Sequence, residues 1–273
     1  MILKIRQVAT SGKNKYEITS DNILEYIAGS PWLETQTPSN DNIIRWCILR
    51  DTYESVIFSS AYNIEENALD ITKFLKWIST GKQKTNIYRI YDKDKNEVGQ
   101  FYRLHDDILD TKFIIDYNNS QFICYDKSVG TTRHLMIYQD ELQIAEIVKP
   151  LTGLNNNDYY YIYLLDEYKQ FKDILSFFVI FFDYYNQYST HNGLKHASIE
   201  WSYSWDKNDK FYNKHWITQH FKKEDINEIN QEISALRQSA MKTIKKTAKF
   251  TFTFCGILIL LVTIVIGIVL LLS

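Results

Sequence analysis

The chain has 273 residues, which is long enough for one large domain or two small ones with attached segments. Its 31 Lys and Arg residues nearly balance 33 Asp and Glu residues, and this balance argues against a nucleic-acid-binding protein, which usually has a strong basic excess. With 45% hydrophobic and 15% aromatic residues the chain can bury a substantial core, which excludes global disorder, and three cysteines are too few for a disulfide framework.

Short runs of β-type composition, separated by polar turn residues, fill most of residues 1–165. Strands at this spacing are typical of a sandwich or a barrel made of hairpins, and not of alternating βαβ units. One short amphipathic helix, from about residue 65 to residue 78, is expected to interrupt them. The predicted strands are Leu3–Val8, Tyr16–Ser20, Leu24–Ala28, Ile43–Leu49, Ser55–Ser59, Asn86–Tyr91, Val98–Leu104, Lys112–Tyr117, Gln121–Tyr125, Arg133–Tyr138, Gln143–Val148 and Tyr159–Leu165.

Residues 168–188 predict a helix that is apolar on all sides, because the run Phe177–Phe182 contains no polar residue. Such a helix must be enclosed by protein or lipid. With Asp173 and Asp183 at its edges it is too short to span a bilayer, so burial inside the protein is favoured over a re-entrant membrane segment or a core strand. The sequence therefore predicts a closed, mainly β barrel plugged by a central buried helix. The alternative is a two-layer α+β domain in which this helix covers one open sheet.

The segment that follows, residues 191–224, is rich in aromatic residues and forms an aromatic extension of the body. Ile199, Trp201, Tyr203 and Trp205 alternate as in a strand, whereas Phe211–Phe221 fits either a returning strand or a helix. Aromatic residues near a membrane anchor could lie at the level of the lipid headgroups. Packing on the barrel is the favoured interpretation.

Residues 225–249 predict an amphipathic, basic juxtamembrane helix that Asp225 could cap. Its apolar stripe covers barely two heptads, which is too short to establish a coiled coil. The stripe could pack against the parent domain, lie on the membrane surface, or pair two copies of the chain through residues 226–240. The stripe consists of Ile226, Ile229, Ile233, Leu236 and Ala240.

Residues 250–272 contain no charge and predict one transmembrane helix, since 23 residues span roughly 34 Å and the hydrocarbon core is about 30 Å thick. Basic residues precede this run, and by the positive-inside rule they place that side in the cytoplasm. Residues 1–13 lack the apolar core of a signal peptide. The expectation is a single-pass, tail-anchored membrane protein with a C-terminal anchor and its N-terminal domain in the cytoplasm. The flanking basic residues are Arg237, Lys242, Lys245, Lys246 and Lys249.

Two kinds of segment resemble a known family. The strand–turn units Tyr16–Gly29 and Tyr88–Arg103 are similar to the repeating hairpins of tubby-like proteins. The segment Tyr159–Glu167, which leads into Ile174–Tyr185, resembles their closing strand and central helix. The same superfamily includes the LURP-one-related proteins and the phospholipid scramblases, and the resemblance implies a twelve-stranded barrel around a hydrophobic helix, here within residues 1–190.

The chain departs from this superfamily in ways that limit what can be transferred. The proline-rich N-terminal region and the palmitoylated cysteine cluster of scramblases have no counterpart here. The basic phosphoinositide pocket of tubby proteins does not align residue by residue, so no binding residue is carried over. The anchor at 250–272 is an addition to the usual family boundary.

Candidate chemical sites have simpler structural interpretations. Asp92–Asn96 begins like a calcium loop but lacks the glycine and glutamate that an EF-hand needs, so a hairpin turn is favoured. Cys47 or Cys124 could meet His105 or His134 in space, yet both cysteines lie in apolar, strand-like runs that favour inert buried thiols. No cofactor or metal is expected. Solvated or packing side chains are favoured for the histidine pairs and the acidic turn: His191, His196, His215 and His220, and Asp106, Asp107 and Asp110.

The function expected from these features is that of a membrane-tethered cytoplasmic binding or scaffold module and not of an enzyme. Its expected partners are membrane lipids, including anionic ones, or a membrane-proximal protein, with self-association through residues 226–240 left open. The alternative is a phospholipid scramblase-like protein that moves lipid, and a hydrolase with an unrecognised site is the third possibility. The candidate lipid-contacting residues are Lys242, Lys245, Lys246 and Lys249.

Overall fold

The computed structural model describes residues 1–9, 15–29, 43–63, 67, 83–105, 111–154, 157–187, 197–199 and 206–245. In this part of the chain the protein is mainly β, and twelve strands close into one barrel. The barrel contains β1–β11 and β13, whereas β12 and β14 form a separate two-stranded sheet. The strands are β1 (Ile2–Ala9), β2 (Lys15–Ser20), β3 (Ile23–Gly29), β4 (Ile43–Asp51), β5 (Val56–Asn63), β6 (Gln83–Asp92), β7 (Glu97–His105), β8 (Thr111–Tyr117), β9 (Ser120–Val129), β10 (Thr132–Gln139), β11 (Leu142–Pro150), β12 (Thr152–Leu154), β13 (Tyr159–Leu164) and β14 (Ala197–Ile199).

The barrel is an antiparallel meander that closes at its first strand. β1 pairs with β2 along one edge and with β13 along the other, and β13 pairs with β11. All twelve predicted strands are confirmed, with limits that differ from the predicted ones by at most four residues. The predicted helix at 65–78 lies almost entirely outside the described residues.

Turn chemistry explains why consecutive strands pair. In two of the two-residue connections, Asp21-Asn22 and Asn118-Asn119, all four residues have positive φ angles between 45° and 65°. Asn and Asp tolerate this left-handed backbone, which the tightest hairpin turns require. Alternation then assigns the faces: in β2, Tyr16 and Ile18 are buried whereas Glu17 is partly exposed. The sequence therefore specifies both the hairpins and the inner face.

A helix fills the interior of the barrel. A 3₁₀ segment (Asp166–Phe171) leads into α1 (Lys172–Gln187), whose residues 177–182 are fully buried in one core with the inward side chains of the strands. The ring of Phe101 on β7 lies 4.9 Å from that of Phe181 and 5.6 Å from that of Phe178. Burial of one such side chain contributes about 1.5–3 kcal/mol. The closed barrel with its enclosed helix confirms the predicted plug over the two-layer alternative.

The two ends of the barrel differ in their connections. At one end, which we call the turn end, the hairpin turns 21–22, 52–55, 93–96, 118–119 and 140–141 join the strands. At the other, which we call the loop end, the connections are 10–14, 30–42, 64–82, 106–110, 130–131 and 151–158. α1 enters at the turn end, where the Met1 ammonium donates to Asp166, and its last turns reach the loop end, where Phe182 and Tyr185 contact Phe113.

An outer layer of helices covers part of the barrel wall. It consists of a 3₁₀ segment (Asp206–Phe211), α2 (Trp216–His220) and a longer helix, α3 (residues 223–245). The Phe211 ring stacks on Tyr125 of β9 at 3.6 Å, and Trp216 is buried against β13. Residues 206–211 and 216–220 are therefore helical, and the predicted packing of the aromatic extension on the barrel is confirmed for Phe211 and Trp216. Residues 200–205 lie outside the described part.

The start of α3 corrects one prediction. The Ile226 amide donates to the Lys222 carbonyl at 3.2 Å, so the helix begins before Asp225. Asp225 therefore lies in the first turn, where its charge favours the positive end of the helix dipole, and does not cap the helix. None of the helices in the described part of the chain combines the length and hydropathy needed to cross a bilayer, and the predicted span at 250–272 falls outside that part.

Candidate functional site

The apolar stripe of α3 packs on the outer face of the barrel. Ile229 is buried, and Ile226 and Ile233 are partly buried against the same cluster. That cluster consists of Val148, Tyr161, Tyr163 and Trp216. The structure therefore shows that the first half of the stripe contacts the parent domain, which is one of the three interpretations of the stripe. Self-association through residues 226–240 stays a prediction.

Two ion pairs add to this apolar contact. The Lys4 Nζ atom on β1 lies 2.7 Å from Glu228 Oε1 and 2.6 Å from Glu232 Oε1 on α3. Burial alone would lower the pKa of Lys4, but hydrogen bonds to the two carboxylates and their charges outweigh that effect and raise it. The hydrogen bond to Lys4 lowers the pKa of Glu228. Lys4 therefore stays charged and fixes α3 along β1.

α3 runs along the barrel wall from the turn end towards the loop end. Its first turns, with Asp225 and Glu228, line a cavity of about 760 Å³ beside the turn residues Asp21 and Asn22. Further along, Ala235 and Ser239 line a second cleft, of about 490 Å³, together with residues of β1 and β13. The lining residues of these strands are Lys4, Ile5, Arg6, Tyr159 and Tyr161. Since Arg6 lies closer to the loop end than Lys4, the C-terminal end of α3 points to the loop end.

Two of the four predicted lipid-contacting lysines lie in the described part of the chain. Lys242 and Lys245 are exposed in the last turns of α3, beyond the contacts that dock this helix. Lys246 and Lys249 lie outside the described residues. The structure therefore shows that Lys242 and Lys245 are accessible, and the role of all four in lipid contact stays a prediction.

Inside the barrel, a polar cluster surrounds Asp183 of α1. The hydroxyl groups of Tyr16 and Tyr160 each contact one oxygen of its carboxyl group, and all three side chains are buried. Burial and the charge of Asp158 raise the pKa of Asp183 well above its usual range, although Lys149 and the tyrosine hydrogen bonds oppose this shift. The cluster connects the plug to β2 and β13. Its chemistry is that of a structural polar network without exposure to solvent.

Cationic side chains line the inner wall of the barrel at the loop end. Arg103 Nη1 donates to the Tyr185 hydroxyl at 2.9 Å, and its guanidinium lies over the Phe113 ring. Arg133 pairs with Asp126 at 2.7 Å, and Lys149 lies 3.4 Å from Asp158. These cations are held in place by aromatic rings and acids of the same barrel.

The cysteines lie where the sequence places them, in the buried core. Burial raises the pKa of Cys47 to about 12 and also raises the pKa of Cys124 well above its usual value, so neither thiol forms the reactive thiolate at neutral pH. His134 bonds to Glu146 at 2.7 Å, and His105 bonds to Thr85 at 3.0 Å. In the described part of the chain, no hydrogen bond joins a cysteine to a histidine.

The candidate cation-binding turn is a hairpin turn, as predicted. Asp92 Oδ1 accepts hydrogen bonds from the backbone amides of Asp94 and Asn96, at 2.9 and 2.8 Å, and these bonds lower the pKa of Asp92. His215 and His220 are exposed, whereas His191, His196 and the acidic turn at 106–110 lie outside the described part. Within that part, no group of three potential metal ligands is present.

Two contacts of the structure were not predicted from the sequence. Asp183 was predicted at the edge of a helix, but it is buried, because the hydroxyl groups of Tyr16 and Tyr160 satisfy its carboxyl group. Lys4 was not singled out, since its partner Glu232 is 228 residues away. For Asp183, the local signal is an isolated acid at the end of a long apolar run. For Lys4, it is a lysine in the first strand together with several acids at the start of a distant helix.

Comparison with known proteins does not assign this chain to a family. No family model matches the chain, and neither the curated proteins nor the solved structures contain a match. The resemblance to tubby-like proteins therefore stays a prediction, and the closed twelve-stranded barrel stands on the structure alone.

Proposed function

We propose that this chain is a membrane-tethered binding or scaffold module. In this proposal residues 250–272 anchor the barrel as a single-pass, tail-anchored protein on the cytoplasmic face of a membrane. Lys242, Lys245, Lys246 and Lys249 attract anionic lipid headgroups, at about 1 kcal/mol each. The observation that supports this proposal most directly is that α3 is docked on the barrel while Lys242 and Lys245 remain exposed just before the predicted span.

A docked α3 makes tethering more effective than a loose linker would. Ile229 and the Lys4 ion pairs hold the helix along β1, so the barrel keeps a set position relative to the segment that follows. Tethering also raises the local concentration of the barrel near membrane ligands, so weak contacts suffice for occupancy. The raised pKa values of both described cysteine thiols argue against catalysis by a cysteine nucleophile.

Liposome flotation tests this proposal. The full chain should float with vesicles at high salt, because an apolar anchor is insensitive to ionic strength, whereas a chain that ends at residue 249 should float only with anionic vesicles at low salt. Near-UV circular dichroism should first show that the shortened chain keeps the fold of the full one. Failure of the full chain to float would refute membrane tethering.

A four-lysine variant then locates the lipid contact. Replacing Lys242, Lys245, Lys246 and Lys249 by Gln in the shortened chain should abolish its salt-sensitive binding. If the four-lysine variant still binds, the lipid contact lies on the barrel. If the shortened chain with its native lysines does not bind, a protein partner is favoured. Transfer of lipid between leaflets by the full-length protein would instead support the scramblase-like alternative.

A further inference from the structure

A groove at the turn end of the barrel combines an apolar floor with an acidic rim. It has a volume of about 760 Å³, and all of its lining residues lie in the described part of the chain. The start of β1, the β2–β3 turn, the start of β11, residues 164–168 and residues 220–229 build it together. We call it the turn-end groove.

Apolar side chains form the floor of the turn-end groove. Leu164 and Ile229 are buried there, whereas Leu142, at the start of β11, is 52% exposed. A leucine this exposed still has apolar surface to bury, and its burial by a ligand would favour binding. The apolar lining includes Ile2, Leu142, Leu164, Leu165, Phe221 and Ile229.

The rim of the turn-end groove carries more negative than positive charge. Its five carboxylate residues are all exposed, and they face three cationic groups. The carboxylate residues are Asp21, Asp166, Glu167, Asp225 and Glu228, and the cationic groups are Lys4, Lys222 and the Met1 ammonium.

Two of these cations already have partners within the protein. The Met1 ammonium lies 2.6 Å from Asp166 Oδ1, and Lys4 is paired with Glu228 and with Glu232 of α3. The other three rim carboxylates form no ion pair with any residue that the structure describes. These carboxylates belong to Asp21, Glu167 and Asp225, and Lys222 is the remaining lysine of the lining. The rim is therefore open to cations from a partner.

From this combination we infer that the turn-end groove binds a partner protein through a short basic segment that carries apolar side chains. The apolar side chains of the segment enter the floor, and its Lys or Arg residues pair with Asp21, Glu167 and Asp225. This inference rests on the proposed function, because it takes the barrel as a binding module, and it names the chemistry of the partner. Lipid contact has no part in it.

The charge and the apolar surface of the groove together select this ligand. A metal ion or a polyamine would pair with the carboxylates but leave the apolar floor in water. A phospholipid would bring its phosphate group next to the acidic rim. A basic segment with leucine-like side chains suits both parts, since Arg and Lys form charge-assisted hydrogen bonds with carboxylates and the apolar side chains are removed from water.

The start of α3 forms one wall of the groove, so that ligand binding is linked to the docking of this helix. Asp225, Glu228 and Ile229 all belong to its first turns. A ligand that binds only when α3 is docked stabilises the docked state in proportion to one plus the ratio of its concentration to its Kd. At ten times the Kd, hydrogen exchange of the α3 amides should therefore slow by about tenfold.

Fluorescence anisotropy of a labelled peptide tests this inference on the full chain. The chain is held in phosphatidylcholine vesicles, and empty vesicles give the background. The probe is the octapeptide Gly-Arg-Arg-Leu-Leu-Arg-Arg-Gly, and two matched probes carry Glu in place of Arg or Gly in place of Leu. The first probe should bind at least tenfold more tightly than either matched probe and should protect the α3 amides. Equal affinities, or no saturable binding of the first probe, would overturn the inference.

Matched variants locate the bound probe. Asp21→Asn/Glu167→Gln removes two rim charges without breaking an ion pair of the described chain, and it should weaken binding about three- to tenfold, as expected for two exposed ion pairs. The control Glu54→Gln/Asp94→Asn removes the same charge from the β4–β5 and β6–β7 turns, away from the groove. It should bind like the parent. An equal loss in both double variants would show general attraction to an acidic protein and would contradict a groove site.

The apolar contact has its own pair of variants. Leu142→Ala should weaken binding about fivefold, because less apolar surface is buried. Tyr53→Ala removes a side chain that is 88% exposed at the same end of the barrel but outside the groove, and it should bind like the parent. Equal effects of these two changes would overturn the assignment of the floor.

Flotation of the chain in the same vesicles separates this inference from membrane tethering. A chain that floats but does not bind the probe would refute the groove site and leave tethering intact. If the chain does not float, the same anisotropy titration is made in neutral detergent micelles. Binding there would support the groove site although tethering fails, and absence of binding there would refute the groove site as well.

Discussion

α1 and α3 both pack on the same barrel, but they do so in different ways. α1 is apolar around its whole circumference and lies inside the barrel, so that every side of residues 177–182 is buried. α3 contacts the outer wall through one stripe around Ile229, and its opposite face is exposed. A helix that is apolar all round therefore stabilises the core, whereas a helix that is apolar on one side docks on the wall and keeps its charged face exposed.

The largest effect should come from a charge placed on the enclosed helix. Phe178→Asp buries an unpaired carboxylate, which costs several kcal/mol against a total stability of about 5–15 kcal/mol, so the barrel should not fold stably at 37 °C. Thermal unfolding followed by circular dichroism measures this. Ser234→Asp, on the exposed face of α3, is the matched control and should melt like the parent. A Phe178→Asp protein with the parent melting temperature would show that α1 is not enclosed.

A smaller effect is expected at the buried centre of the α3 contact. Ile229→Ala removes a buried side chain and should cost about 2 kcal/mol, at the low end for such truncations, because a surface helix can readjust. The cost should appear as faster hydrogen exchange in residues 223–245, while the barrel amides keep their protection. The exposed neighbour Asn230→Ala serves as the control. Loss of protection throughout the barrel would instead make α3 part of one cooperative unit.

The strands and the plug were predictable because their signals are local. Period-two alternation in β2 and the Asp-Asn and Asn-Asn turns specify hairpins without knowledge of the rest of the chain. The unbroken apolar run 177–182 likewise requires enclosure. The start of α3 was predicted incorrectly, because Asp225 suits a cap and a first turn equally well.

The contacts that join distant segments could not be predicted from one sequence. Tyr16 and Asp183 are 167 residues apart, and Lys4 and Glu228 are 224 residues apart. Only the closure of β1 on β13 brings these side chains together. For the proposed lipid contact, the lysines were identified from the sequence. The direction in which α3 points Lys242 and Lys245 is known only from the structure.

The proton on Asp183 should make the fit of the plug sensitive to pH. Burial and Asp158 raise its pKa, so the folded protein keeps this proton at pH values where the unfolded chain has released it. Its contribution to stability is therefore complete below about pH 4 and is lost as the pH rises through the folded-state pKa.

An amide at this position measures that contribution. Asp183→Asn should cost about 1–3 kcal/mol at low pH, because the hydrogen bonds of Tyr16 and Tyr160 must rearrange around it. The difference in unfolding free energy between parent and variant should shrink as the pH rises from 5 to 8. Urea unfolding at a series of pH values gives this difference, and a constant or growing difference would contradict a raised pKa.

The smallest effect should come from the ion pairs that hold α3 from outside. Lys4→Gln removes the charge and shortens the side chain by one atom, and partly exposed pairs of this kind contribute about 1 kcal/mol or less. The expected result is a fall of up to about fivefold in the protection of the α3 amides, with the melting temperature of the barrel almost unchanged. High salt should lower the protection of the parent towards that of the variant, because it screens the charges. Lys15→Gln on β2 is the control. If this variant lowers the protection of the α3 amides as much as Lys4→Gln does, Lys4 has no special role in docking α3.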